Sequence, residues 1–119
     1  MICGGLVMVA EIDREKFACP CGCGMNNISP QMIRMLAEAG ITKVNSGCRC
    51  EVHNLKVGGS ATSSHLLGLA VDIPARTSRE RYKVLSSLIK AGFVRIGIGK
   101  TFIHADIDFA KAQEVAWKY

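Results

Sequence analysis

The chain has 119 residues, 49% of them apolar, with fifteen Lys and Arg against ten Asp and Glu and a net charge of +5. That length predicts one domain burying roughly two thirds of the surface its unfolded chain exposes, and no apolar run approaches the roughly 20 residues that span a bilayer. The positive charge is spread along the chain, so it would attract an anionic partner such as cell wall, lipopolysaccharide or nucleic acid without choosing among them.

Met1 to Ala10 is apolar but lacks a basic start, and Glu11 stands where a small-residue cleavage site would fall, so the opening does not read as a secretory signal. Residues 1–12 are expected to extend a single 1–119 domain that is cytoplasmic on synthesis. Five of the six cysteines fall in two groups, Cys19, Cys21 and Cys23, then Cys48 and Cys50, with Cys3 apart. Neither group has the C-x-x-C spacing of a zinc ribbon. Reduced thiols near the core, a cross-link between the groups, and a second metal site are all open.

Ser29-Pro30 predicts a helix start, with Met32, Ile33, Met35, Leu36 and Ala39 at helical spacing until Gly40. Ile41 to Asn45 reads as a short strand delivering Ser46-Gly47-Cys48-Arg49-Cys50 to a turn, followed by the Gly58-Gly59-Ser60 loop. Leu69 to Ile73 is a second strand closed by Pro74. Thr77 or Ser78 caps a helix with Tyr82, Leu85, Leu88 and Ile89 on one face and Gly92 at its end. Phe93 to Ile98 and Thr101 to Ile107 read as a hairpin around Gly99-Lys100. Ala110 to Tyr119 is read as helical, without a clear cap. The fold class expected is α+β, a mostly antiparallel sheet with helices packed on one face.

Chemistry concentrates in Ser63-Ser64-His65-Leu66-Leu67-Gly68-Leu69-Ala70-Val71-Asp72 and in Phe102-Ile103-His104-Ala105-Asp106. Strand alternation puts His104 and Asp106 on one face, about 7 Å apart along the chain, and Ile103, Ala105 and Ile107 on the other. Asp72 between Val71 and Ile73 needs a cationic partner if it is buried. Gly68 lets the chain turn between His65 and Asp72, so that His65, Asp72 and His104 can meet as three ligands of a catalytic zinc ion. The plain alternative leaves His65 at a helix cap or the surface, Asp72 paired with an arginine, and His104 bonded to backbone. With a metal present, Asp106 is placed to move a proton, and Arg49 to bind a carboxylate or a developing oxyanion. His53 is given a structural role, and Asp108 is expected to be solvated at the strand end.

Together Asn45-Ser46-Gly47-Cys48-Arg49, Val57-Gly58-Gly59, S-x-H-x-x-G-x-A-x-D from Ser63 to Asp72, and Phe102-Ile103-His104-x-Asp106 resemble the zinc D-alanyl-D-alanine carboxypeptidase family. The likeness is to its small single-domain branch from phages and prophages and runs from about Phe17 to Trp117. It implies one zinc ion held by His65, Asp72 and His104, Asp106 as acid/base, and Arg49 and Ser63 on the substrate side. It also implies the fold shared with lysostaphin-like endopeptidases and the hedgehog signalling domain. Larger relatives carry an acidic residue three positions before the last histidine, where this chain has Thr101, and Ser64 replaces a glutamine common among relatives. The activity implied is hydrolysis of peptidoglycan stem peptides or cross-links by a monomer that engages neither nucleic acid nor membrane interior. Two rival readings are a non-catalytic zinc-binding module of the cell wall and a cysteine-organised nucleic-acid binder.

Overall fold

The computed structural model describes residues 14–119, so the apolar opening, Cys3 and the expected extension over 1–12 lie outside the described residues. Helix α1 (Pro30–Ala39) forms where its signals predict. Ser29 Oγ accepts from the Gln31 and Met32 N–H groups, and Gly40 ends the helix in a left-handed conformation. Met32 and Leu36, four apart on one stripe, are fully buried. Helix α2 (Glu51–Lys56) was not predicted: its Val52 and Leu55 face solvent, so it has no amphipathic pattern, and its cap is the Cys50 thiol, which accepts from His53 N–H. Helix α3 (Ser78–Lys90) opens on a capping box in which Thr77 and Glu80 each satisfy the other's backbone N–H, worth about 1 kcal/mol.

Strands β1 (Ala70–Pro74), β2 (Arg95–Ile98), β3 (Phe102–Asp106) and β4 (Val115–Lys118) form one sheet in the order β1-β3-β2-β4. β3 pairs antiparallel with β1 and β2, while β4 pairs parallel with β2. The sheet is therefore mixed, with a parallel edge that the expected, mostly antiparallel arrangement did not include. Alternation sends Val71, Ile73, Ile96, Ile103 and Ala105 to one face, where they join Phe17, Met32, Leu36, Leu88 and Phe93 in the core beneath α1 and α3. Each large side chain buried there contributes roughly 1.5–3 kcal/mol. Asp72, His104 and Asp106 occupy the opposite face.

Two expected elements are corrected. Ile41 to Asn45 is not a strand. One bridge, Ser46 opposite Asp72, ties that stretch to the sheet edge. The chain then leaves at Gly47, where a Cβ would lie 2.9 Å from Phe17 Cα and O, so glycine alone permits the approach that lets Cys48 N–H bond Phe17 O at 2.8 Å. Ala110 to Tyr119 is not helical either. Asp108 makes a turn by accepting from Ala110 N–H on its side chain and from Lys111 N–H on its carbonyl. Beyond Glu114, at φ 57°, Val115, Trp117 and Tyr119 alternate as strand residues do.

Candidate metal centre

Asp72 and His104 are directly opposite in the β1–β3 register, so their side chains share a face by construction. His65 comes from a 3-10 turn, Ser64–Leu67, that packs beside β1 and is capped by Ser63 Oγ accepting from His65 N–H at 3.2 Å. One donor atom from each of the three lies within 4.8 Å of the other two. His65 Nε2 is 3.4 Å, and His104 Nδ1 3.1 Å, from Asp72 Oδ1. A tetrahedral shell with bonds of about 2.05 Å has edges of about 3.3 Å.

Proton bookkeeping tests whether these residues suit a cation. His65 Nδ1 lies 2.6 Å from Gly47 O; a carbonyl only accepts, so Nδ1 carries the proton and Nε2 of the neutral ring is bare. That Nε2 is buried and has no hydrogen-bond partner. His104 Nε2 lies 2.7 Å from Asp106 Oδ2, which places the proton of the neutral ring on Nε2 and turns a bare Nδ1 toward Asp72. With both rings neutral, two nitrogen lone pairs and a carboxylate oxygen thus converge, the donor set of a divalent-metal site, and Gly47 and Asp106 supply the outer bonds that orient such ligands. These residues fit a zinc ion.

Without a cation, the electrostatics draw a proton to the cluster instead. Burial alone would raise the Asp72 carboxyl, but bonding to His104 and the nearness of His65 hold it well below the usual carboxylate range. Burial opposes the charged His104 ring, yet Asp106 and Asp72 on its two nitrogens push its pKa up. Burial of Asp106 is likewise outweighed, by His104 and Arg95, and its pKa falls.

The site opens onto a cleft of about 390 Å³ whose walls include Arg49, Ser63, Arg95, Lys111, Trp117 and Tyr119. Arg49 sits in the loop before α2 and not at a strand end. Its Nη1 donates to Asn54 Oδ1 at 3.0 Å, while its Nε–H has no acceptor among the described residues. Ser63 is brought to the cleft, with its hydroxyl engaged in capping. Asp106 is 1% exposed; Oδ1 accepts from Arg95 Nε at 2.6 Å and from Asp108 N–H at 3.1 Å, and Oδ2 pairs with His104. His53 contributes backbone bonds, its N–H to Cys50 Sγ and its carbonyl to Val57 N–H. Asp108 is corrected from solvated to buried: its Oδ2 accepts from Ser64 Oγ at 2.7 Å and lies 3.5 Å from Lys111 Nζ.

Sequence reasoning missed Arg95, Trp117 and Tyr119. Arg95 Cζ stands 5.0 Å from the Trp117 ring centroid, and Trp117 packs 5.5 Å from His104. The alternation of Val115, Trp117 and Tyr119 was the available signal. Among the described cysteines all are free; Cys19, Cys21, Cys23 and Cys50 gather as a group separate from the His65, Asp72 and His104 set, and Cys48 is buried in the core. No helix of the described residues is long and apolar enough to cross a membrane.

A family model described as Peptidase M15 matches residues 9–107, which takes in every residue of the His65, Asp72 and His104 cluster. None of the curated proteins compared with the chain matches it.

Proposed function

This chain belongs to the peptidase M15 family, and from that membership we propose that it is a zinc metallopeptidase that hydrolyses peptide bonds of bacterial peptidoglycan, at D-alanyl-D-alanine ends or at cross-links. The observation that carries this reading is the convergence of His65 Nε2, Asp72 Oδ1 and His104 Nδ1, with His65 Nε2 buried and without a hydrogen-bond partner. A zinc ion held by these three residues would supply Lewis acidity, acidifying water and polarising the scissile carbonyl.

The chain's own residues divide the remaining work. Arg49, steadied by Asn54, presents its guanidinium at the cleft wall to a substrate carboxylate or carbonyl oxygen. Lys111 adds positive charge to the cleft lining, although it is tied to Thr62 O and Ser64 Oγ. Asp106 has both oxygens occupied and its pKa lowered, which favours a positioning role, holding the His104 proton on Nε2, over the proton-shuttle role expected from its spacing. Arg95 locks Asp106 in turn. The likeness to the small phage and prophage branch suggests an endolysin that meets the wall after release from the cell.

Digestion of purified peptidoglycan by the zinc-loaded protein, read by mass spectrometry of muropeptides, tests the reading. Expected is loss of a terminal alanine or of cross-linked dimers, abolished by chelator and restored by zinc. Unchanged muropeptides with a metal-loaded protein would discard the peptidase and leave a zinc-binding module of the wall.

A further inference from the structure

We propose that Cys19, Cys21, Cys23 and Cys50 hold a second, structural zinc ion as a tetrathiolate, independent of the histidine site. Their four sulfurs all lie within 4.8 Å of one another. Cys19 Sγ is 3.5 Å from Cys21 Sγ, and Cys21 Sγ is 3.6 Å from Cys50 Sγ. A tetrahedron of sulfurs around zinc with bonds of about 2.3 Å has edges of about 3.8 Å, whereas a disulfide needs about 2.05 Å. The separations are those of ligands around a shared centre.

The backbone around the cluster is arranged for thiolates. Cys50 N–H donates to Cys19 Sγ, Met25 N–H to Cys23 Sγ and His53 N–H to Cys50 Sγ, each at 3.4 Å. Such donors offset the net charge of −2 that four thiolates leave on a divalent ion, once each thiol has released its proton to solvent. Gly22, at φ 89°, reverses the chain between Cys21 and Cys23 so that three closely spaced cysteines turn their sulfurs to one point. Cys21 and Cys23 are exposed, which sets them apart from packed core thiols.

The fourth ligand gives the site its purpose. Cys50 is the N-cap of α2, the helix that carries Asn54 and so steadies Arg49. A zinc ion joining it to residues 19–23 would clamp that segment to the helix that steadies Arg49. Cys48, buried in the core with its thiol on Asn26 Oδ1, is outside the set.

The full chain, purified reduced and without chelator, should carry close to two zinc ions by elemental analysis. Cys21→Ser should lose one and keep the histidine-site ion, and His104→Ala the converse. Cobalt-substituted wild type, which needs no variant to fold, should show sulfur-to-cobalt charge transfer and tetrahedral ligand-field bands, and the zinc edge should show a sulfur shell at about 2.3 Å. One zinc per chain with only nitrogen and oxygen neighbours, iron in place of zinc, or four oxidised sulfurs in the purified chain would overturn the proposal. Failure of the histidine site alone would look different: one zinc in an all-sulfur shell.

Discussion

His104 Nε2 and Asp106 Oδ2 lie 2.7 Å apart on one face of a single strand, and the other Asp106 oxygen is held by Arg95 Nε at 2.6 Å. Two residues apart on a strand, they form the pair that decides which His104 nitrogen is bare. The chain therefore sets the tautomer of a proposed zinc ligand from within the element that carries it.

Asp106→Asn should let an amide N–H face His104 Nε2 and shift the ring proton to Nδ1, against the metal. Zinc affinity at the histidine site and kcat should both fall roughly 10–100-fold, measured by chelator competition and peptide hydrolysis. A variant that loses activity with unchanged zinc affinity would instead make Asp106 a proton carrier.

His65→Ala removes the buried Nε2 that has no partner of its own. After chelation, activity of the wild type should return on titration with zinc, whereas the variant should stay inactive at every zinc concentration. Circular dichroism then checks that the fold survives, since the lost ring also leaves Gly47 O without its donor.

Asp72 and Asp106 ionise below their ordinary range and His104 above its own. In the metal-free protein the carboxylates' contribution to stability is present above about pH 4 and lost as pH falls through their lowered values. That of His104 is fully present below about pH 6.5 and lost as pH rises through its raised value. Denaturant midpoints of chelated protein should therefore peak in mildly acidic buffer and decline on both sides. Zinc affinity should move oppositely to the alkaline limb, rising with pH because the metal needs bare nitrogens. A midpoint that climbs steadily from about pH 6 to about pH 9 without metal would contradict this assignment of charges.

Arg49→Lys keeps the charge but loses the planar fork that Asn54 steadies. A hydrogen bond to a charged group contributes about 1.5–3 kcal/mol, so kcat/KM for a peptide with a free terminal carboxylate should drop roughly 10–150-fold. The same peptide amidated at its end should be affected much less. Equal losses on both would move Arg49 from the terminal carboxylate to the scissile carbonyl.

Much of this architecture was legible locally. Ser29-Pro30 and Gly40 bounded α1, Thr77 or Ser78 marked the start of α3, and alternation around Asp72 and His104 separated a packing face from a chemical face. Caps and alternation are properties of a few consecutive residues, so they survive in the bare sequence. Helix α2 escaped because a cysteine caps it and its apolar residues face solvent.

Composition and spacing by themselves determined the α+β class, the two principal helices and the strands bearing Asp72 and His104; resemblance to a known family tied those two residues to His65. Only tertiary structure decided that β4 lies parallel to β2 and carries Trp117 and Tyr119 into the cleft, that Arg95 restrains Asp106, that Gly47 O turns the His65 ring, and that Cys50 joins three cysteines far before it. Those facts depend on which distant backbone segments come to lie side by side. Burial of a shared core selects that arrangement, and no short window of sequence contains both partners.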